Sequence, residues 1–209
     1  MLAVMGTPAR QASHVIRRAP GPYTWQDFVR LPDDDKRELI DGKLIEVEVP
    51  SKLHEYIQLR VGGALAQWGE LHEAGYALGP GYKIKVTAHQ GVMPDIQFYR
   101  NENPTKGSDL GLARGHPDLA VEIVSPSSQR YDRVVKLNWY AKIGVPEYWI
   151  ISPEAHTIER LVLRGAHYVI METAEEKAVF RPSSFPGLAI PLSGLWVVSS
   201  PKKRKRRHS

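Results

Sequence analysis

Between Ser51 and Trp68 the apolar residues Leu53, Ile57, Val61, Ala64, Leu65 and Trp68 recur at helical spacing, which predicts a long helix starting at Ser51. His54 lies one turn before Ile57 and Gln58, so it faces inward or along the border of that face. Upstream, Thr24 with Asp27 three positions later reads as a helix start. Trp25, Phe28, Val29 and Leu31 supply its apolar side, and Pro32 ends it. Residues 38–45 read as a hairpin around Asp41-Gly42, a pair that favours a tight primed turn. Pairing across that turn puts Glu38, Ile40, Ile45 and Val47 on one face and Leu39, Leu44, Glu46 and Glu48 on the other. Glu38 thus shares the more apolar face, where a carboxylate is costly unless it is paired or holds a metal. The ordinary alternative is a frayed strand end that reaches water.

Farther on, residues 82–86 and 92–99 predict strands joined through 87–91. Residues 101–115, rich in glycine and polar side chains, read as a mobile loop and a candidate flap. Residues 118–124 are a candidate central strand, stopped by Ser125-Pro126-Ser127. A helix over 129–143 follows, packing through Val134, Val135, Leu137 and Tyr140, and Gly144 breaks it. Residues 147–151 form the next strand, and the order strand, helix, strand predicts a right-handed crossover into a parallel neighbour. Residues 157–163, 167–172 and 178–180 read as antiparallel strands. The expected fold class is a single α/β (α+β) domain over 22–198. A disordered segment, 1–21, precedes it and a disordered basic tail, 199–209, follows.

Composition narrows the chemistry. The chain of 209 residues is 42% hydrophobic and 24% charged, ordinary for a globular domain, so neither figure selects a function. It has no cysteine, which excludes disulfides, thiolate metal sites and cysteine nucleophiles. No apolar run approaches the roughly 20 residues that span a bilayer, and the first twenty residues lack the apolar core of a secretion signal. A cytoplasmic protein with no membrane partner is expected. The net charge of +5 belongs to the tail: Lys202, Lys203, Arg204, Lys205, Arg206 and Arg207 take six of the 28 basic residues. That leaves 22 against 23 acidic residues, so the body is near neutral. The tail also has the look of a nuclear-import signal.

Candidate chemistry starts at Pro94-Asp95 and at Glu122, inside the apolar run 119–124. Alternation along that run turns Leu119, Val121 and Ile123 to one layer and Glu122, with Ala120 and Val124, to the other. If strand 92–99 lies alongside, Asp95 and Glu122 approach within reach of one divalent cation. Magnesium suits such a pair, since it takes one or two carboxylates and keeps several waters. A lysine nearby would orient the attacking water or stabilise developing negative charge. The plainer reading makes Pro94-Asp95 a strand entry and Glu122 an acid paired with an arginine.

The run VMPDIQFY, then PDLAVEIVSPSSQRYDRVVKLNWYAKIGVPEYWII, resembles the bacterial Uma-two family of restriction-endonuclease-like proteins, within the PD-(D/E)XK nuclease superfamily. RELIDGKLIE and PSKLHEYI resemble its opening hairpin and helix, and FPGLAIPLSGLW its C-terminal end, so the likeness covers residues 23–196. It implies a mixed β-sheet flanked by helices, with Asp95 and Glu122 as metal ligands for Mg²⁺ (Mn²⁺ as substitute). Glu38 is implied as a supporting acid and His54 as a site residue. One position departs: two residues after Glu122 the superfamily pattern has lysine, and this chain has Val124. Lys136 on the following helix is the substitute, with Asp132 one turn earlier and Tyr140 one turn later. The competing view makes Lys136 an exposed partner of Asp132, worth a few tenths of a kcal/mol.

The function implied is a Mg²⁺-dependent DNA endonuclease hydrolysing phosphodiester bonds with a metal-activated water. A second reading is a catalytically inactive nucleic-acid-binding or regulatory protein on the same fold; a third is a hydrolase of small phosphate esters. DNA is the expected partner, no residue pattern separates it from RNA, and cutting both strands at once would call for a homodimer. Deleting residues 201–209 should weaken DNA binding and flatten its salt dependence, by up to about five in the log–log slope for six lost charges. Fluorescence anisotropy over a salt series checks this, and an unchanged slope would exclude the tail from binding.

Overall fold

The structure, a computed structural model, describes residues 22–196 apart from 33, 47, 48 and 106. The expected terminal segments 1–21 and 199–209, and Val47 and Glu48 of the hairpin, therefore lie outside the described residues.

Thr24 caps the first helix, α1 (Trp25–Val29), and its backbone N–H donates to Asp27 Oδ2 at 2.9 Å. The hairpin β1 (Arg37–Ile40) and β2 (Lys43–Glu46) turns on Asp41 (φ 48°) and Gly42 (φ 76°), both left-handed as a primed turn requires. Glu38 pairs with Ile45 and Leu39 with Leu44. Both faces of the hairpin pack, Ile40 on the Glu38 face against the cluster that holds Ile84 and Val92. Leu39 packs with Trp25 and Phe28, whereas Ile45 is 42% exposed. Glu38 is buried all the same, because its face turns toward Lys136.

Ser51 caps the long helix α2 (Lys52–Leu71), its hydroxyl accepting from the His54 N–H. Then come β3 (Gly75–Leu78), which the sequence pattern did not mark, β4 (Lys83–Thr87), β5 (Gln90–Val92) and β6 (Ile96–Arg100). The single strand expected over 92–99 is thus two. Pro94 carries no N–H for a ladder, and at residues 93–95 the chain leaves one sheet and enters another. The segment 101–115 contains β7 (Gly111–Leu112) and is tied down rather than free. Asn103 Nδ2 donates to Asp118 Oδ2 at 2.7 Å, Tyr82 donates to Ser108 O at 3.0 Å, and Leu112 is buried.

The strand β8 (Leu119–Ile123) is buried throughout. The helix expected over 129–143 opens as a π-turn (Tyr131–Lys136) and continues as α3 (Leu137–Ile143). Val134, expected to pack, is 51% exposed, because the widened turn brings Asp132 and Lys136 to the buried side instead. Next are β9 (Glu147–Ser152), β10 (Thr157–Arg164), β11 (His167–Glu175), β12 (Val179–Phe180) and β13 (Ile190–Pro191).

Five strands form one sheet in the order β2-β1-β5-β4-β7, and six form another in the order β11-β10-β9-β8-β6-β3. β8 and β9 run parallel, as the crossover requires, and β6 is antiparallel to β8. On one face of the six-stranded sheet Ile57, Val61, Leu65 and Trp68 of α2 pack against Ile96, Phe98, Leu119, Val121 and Trp149. On the other, Trp139 and Tyr140 of α3 and Ile84 and Val92 of the five-stranded sheet meet Ala120, Tyr148 and Ile150. No helix of the described residues is long and apolar enough to cross a membrane.

Two glycines of α2 separate helix propensity from packing. A Cβ on Gly69 would lie 2.5 Å from Gly75 O and 3.0 Å from a Phe98 ring carbon, whereas one on Gly63 meets nothing within 4 Å. Gly63→Ala should therefore stabilise by up to about 1 kcal/mol. Gly69→Ala should destabilise by about 1–3 kcal/mol as α2 is pushed off β3. Urea unfolding of both variants reads the opposite signs.

Candidate active site

The register of β6 against β8 pairs Ile96 with Val121 and Gln97 with Ala120, and Asp95, just before β6, takes the N–H of Ile123, the residue after Glu122. Asp95 and Glu122 line a cavity of about 530 Å³ at this end of the sheet, together with Glu38, His54, Gln58, Tyr131, Asp132 and Lys136. All five residues singled out from the sequence (Asp95, Glu122, Lys136, Glu38 and His54) are thus brought together. No described residue of segment 101–115 lines this cavity.

Each acid is held by specific donors. Asp95 Oδ2 accepts the Ile123 N–H at 2.7 Å and faces His54 Nε2 at 3.2 Å, while Gln58 Nε2 donates to the Asp95 carbonyl at 2.8 Å. A carboxylate only accepts, so the His54 hydrogen sits on Nε2. Glu122 Oε1 accepts from Lys136 Nζ at 2.9 Å and from the Tyr140 hydroxyl at 2.5 Å. These bonds use one oxygen of each carboxylate and leave Asp95 Oδ1 and Glu122 Oε2 for other partners. Glu38 Oε1 accepts the Met93 N–H at 2.8 Å, the amide just before Pro94, and lies 3.2 Å from Lys136 Nζ.

Lys136 also stands 3.6 Å from Asp132 Oδ1. It is 5% exposed and Asp132 4%, so the solvent-facing pair that the i, i+4 spacing suggested is instead part of a buried cluster. Three carboxylates surround one ammonium, with Asp95 close by. Burial opposes the charge on Lys136, but Glu122, Glu38 and Asp132 outweigh it and hold the pKa well above the ordinary lysine value. Burial raises the Glu122 pKa well above the carboxylate range; Lys136 opposes this, and Asp95, Asp132 and Glu38 add to it. Asp132 is raised mainly by burial. For His54 burial acts downward, but the hydrogen bond and charge of Asp95 prevail and raise the pKa.

Gln58, Tyr131 and Tyr140 complete the site, and the sequence reading gave none of them a role in it. Gln58 had a signal, a polar residue on the apolar face of α2 four positions after His54. Tyr131 had none, since the π-turn that aims it at the cavity leaves no local mark.

Among the described residues no group of three or more histidine, cysteine, aspartate or glutamate side chains is arranged to enclose a metal.

A mixed sheet with its flanking helices and a second sheet, carrying acids on adjacent strands, defines a restriction-endonuclease-like α+β protein. The family model Uma2, described as "Putative restriction endonuclease", matches residues 25–193, and the chain belongs to that family. Among solved structures it is similar to "a putative nuclease belonging to DUF820" from Anabaena variabilis ATCC 29413. The TM-score is 0.66 at 21% identity, covering 84% of this chain and 98% of that one, a likeness of fold. No curated protein matches the chain.

The charge imbalance yields a stability test. Lys136→Met leaves buried acids without their ammonium and should cost about 3–5 kcal/mol. Glu122→Gln keeps an acceptor for Lys136 and Tyr140, relieves the crowding of acids, and should be at least as stable as wild type at pH 7. A carboxyl whose pKa is raised on folding binds its proton more tightly in the native state, so stability falls as pH rises above the ordinary carboxylate range. Glu122→Gln should remove part of that slope, measured by urea unfolding from pH 4.5 to 8 without metal.

Proposed function

We propose that this Uma2 domain is a Mg²⁺-dependent endonuclease that hydrolyses DNA phosphodiester bonds. The observation that carries the reading is that Asp95 and Glu122 line one cavity at the end of β6 and β8, with one oxygen of each committed to the protein. Hard oxygen donors at the end of two adjacent strands fit Mg²⁺ or Mn²⁺. When bound, such an ion polarises the phosphate and offsets the charge on the leaving oxygen.

The chain's own residues do the rest. Asp95 is fixed by the Ile123 amide, His54 and Gln58, so its free oxygen is aimed before any ligand arrives. Lys136 and Tyr140 grip Glu122 Oε1 and turn the other oxygen outward. Lys136 stands in for the lysine missing at position 124 as a fixed positive charge beside the developing phosphorane. Its elevated pKa keeps it protonated, so it serves as an electrostatic group and not as a base. Ile123, Val124 and Leu53 give the cavity an apolar wall that strengthens these interactions by limiting water.

Titration calorimetry and plasmid cleavage test the reading together. Asp95→Asn and Glu122→Gln should each lower Mg²⁺ affinity at least about tenfold and abolish nicking of supercoiled DNA while the fold persists by circular dichroism. Unchanged Mg²⁺ binding in both variants would remove the metal site. Intact DNA binding with no cleavage by wild type would favour the inactive binding protein.

A further inference from the structure

Three buried side-chain polar atoms among the described residues have no hydrogen-bond partner: Glu38 Oε2, His54 Nδ1 and the Tyr131 hydroxyl. All three residues line the same cavity. Unpaired buried groups are costly and uncommon in folded proteins. Their gathering at one place marks where a polar ligand belongs.

Two of the three are neighbours. The Tyr131 hydroxyl and the Glu38 carboxylate interact through charge and as a side-chain donor and acceptor, without a bond of full hydrogen-bond geometry, and Lys136 Nζ lies 5.3 Å from the centre of the Tyr131 ring. Glu38 Oε1 is occupied by the Met93 amide and Lys136, so Oε2 is its working oxygen. Lys136 has three N–H donors and three carboxylate neighbours, Glu38, Glu122 and Asp132. Its hydrogen bond goes to Glu122 and its charge is shared with Glu38 and Asp132, so the ammonium faces carboxylates, and Glu38 Oε2 is the acceptor left for a water.

Resting on the nuclease reading, we propose that Glu38 Oε2 and the Tyr131 hydroxyl together seat the attacking water. The water donates one hydrogen to Glu38 Oε2 and accepts one from Tyr131, which leaves its second lone pair free for phosphorus. As the water oxygen forms the new P–O bond, its proton passes to Glu38 and the bond to the leaving oxygen breaks. The leaving oxygen takes a proton from solvent, and Glu38 returns its own to solvent. Tyr131 keeps its hydrogen throughout.

Single-turnover cleavage by the full chain with Mg²⁺, compared among wild type, Tyr131→Phe and Glu38→Gln, tests the assignment. Tyr131→Phe should lower the cleavage rate about 10- to 100-fold with KM and Mg²⁺ affinity unchanged. Its stability to urea should stay close to that of wild type, because Glu38 keeps the Met93 amide and Lys136. Glu38→Gln keeps the acceptor for the Met93 amide and should lose about 10²–10⁴-fold. It should recover steadily as pH is raised and hydroxide replaces the activated water. Wild-type rates in both variants would overturn the water seat and leave the nuclease reading standing. Rate loss that only follows loss of stability would make both residues structural and overturn it too. Failure of the wild type to cleave any strand would remove the nuclease reading and this inference with it.

Discussion

The ammonium of Lys136, closed in among Glu38, Glu122 and Asp132, is the interaction on which the organisation of this domain depends. These three and Asp95 are among six acids that line one cavity, and a buried carboxylate without a counter-charge is too costly to persist ionised. The three contacts of Lys136 reach into three separate elements: β1 of the five-stranded sheet, β8 of the six-stranded sheet, and the π-turn that bears the lysine itself. One side chain therefore ties both sheets to the helix that crosses between β8 and β9. The acids around the ammonium still outnumber it.

Backbone irregularities put the side chains there. Pro94 breaks a run of strand-forming residues, and the amide before it, with no ladder to join, donates to Glu38. The bend carries Asp95 to the lip of the six-stranded sheet, where the Ile123 amide completes its hold. The π-turn does the same for the helix by keeping Asp132 and Lys136 inward together. Widened turns of this kind commonly sit at functional sites. Regular elements supply the rigidity, and the two departures from regularity supply the aim.

Much of this was legible in the chain. The Asp41-Gly42 turn, the apolar stripe of α2 and the buried run around Glu122 are local signals with direct physical meaning, and each forms as its pattern suggests. The adjacency of the Asp95 and Glu122 strands needed only the antiparallel neighbour that the structure supplies. The break at Pro94 was visible as a residue, but no local pattern says that the two halves join different sheets. An i, i+4 Asp132–Lys136 spacing looks the same in water and in a core, so burial there was unreadable. The short β3 carries too little alternation to announce itself, and an unpaired Tyr131 hydroxyl is a property of the assembled cavity alone.

The order in which the acids and the lysine occur along the chain has a consequence for biosynthesis. Glu38, His54 and Asp95 leave the ribosome well before Glu122 and Lys136, and the contact between Glu38 and Lys136 closes a loop of nearly a hundred residues. Contacts of such separation form late in folding. A nascent chain therefore carries its first acids solvated and apart, and the cluster around Lys136 exists only after the second half has docked.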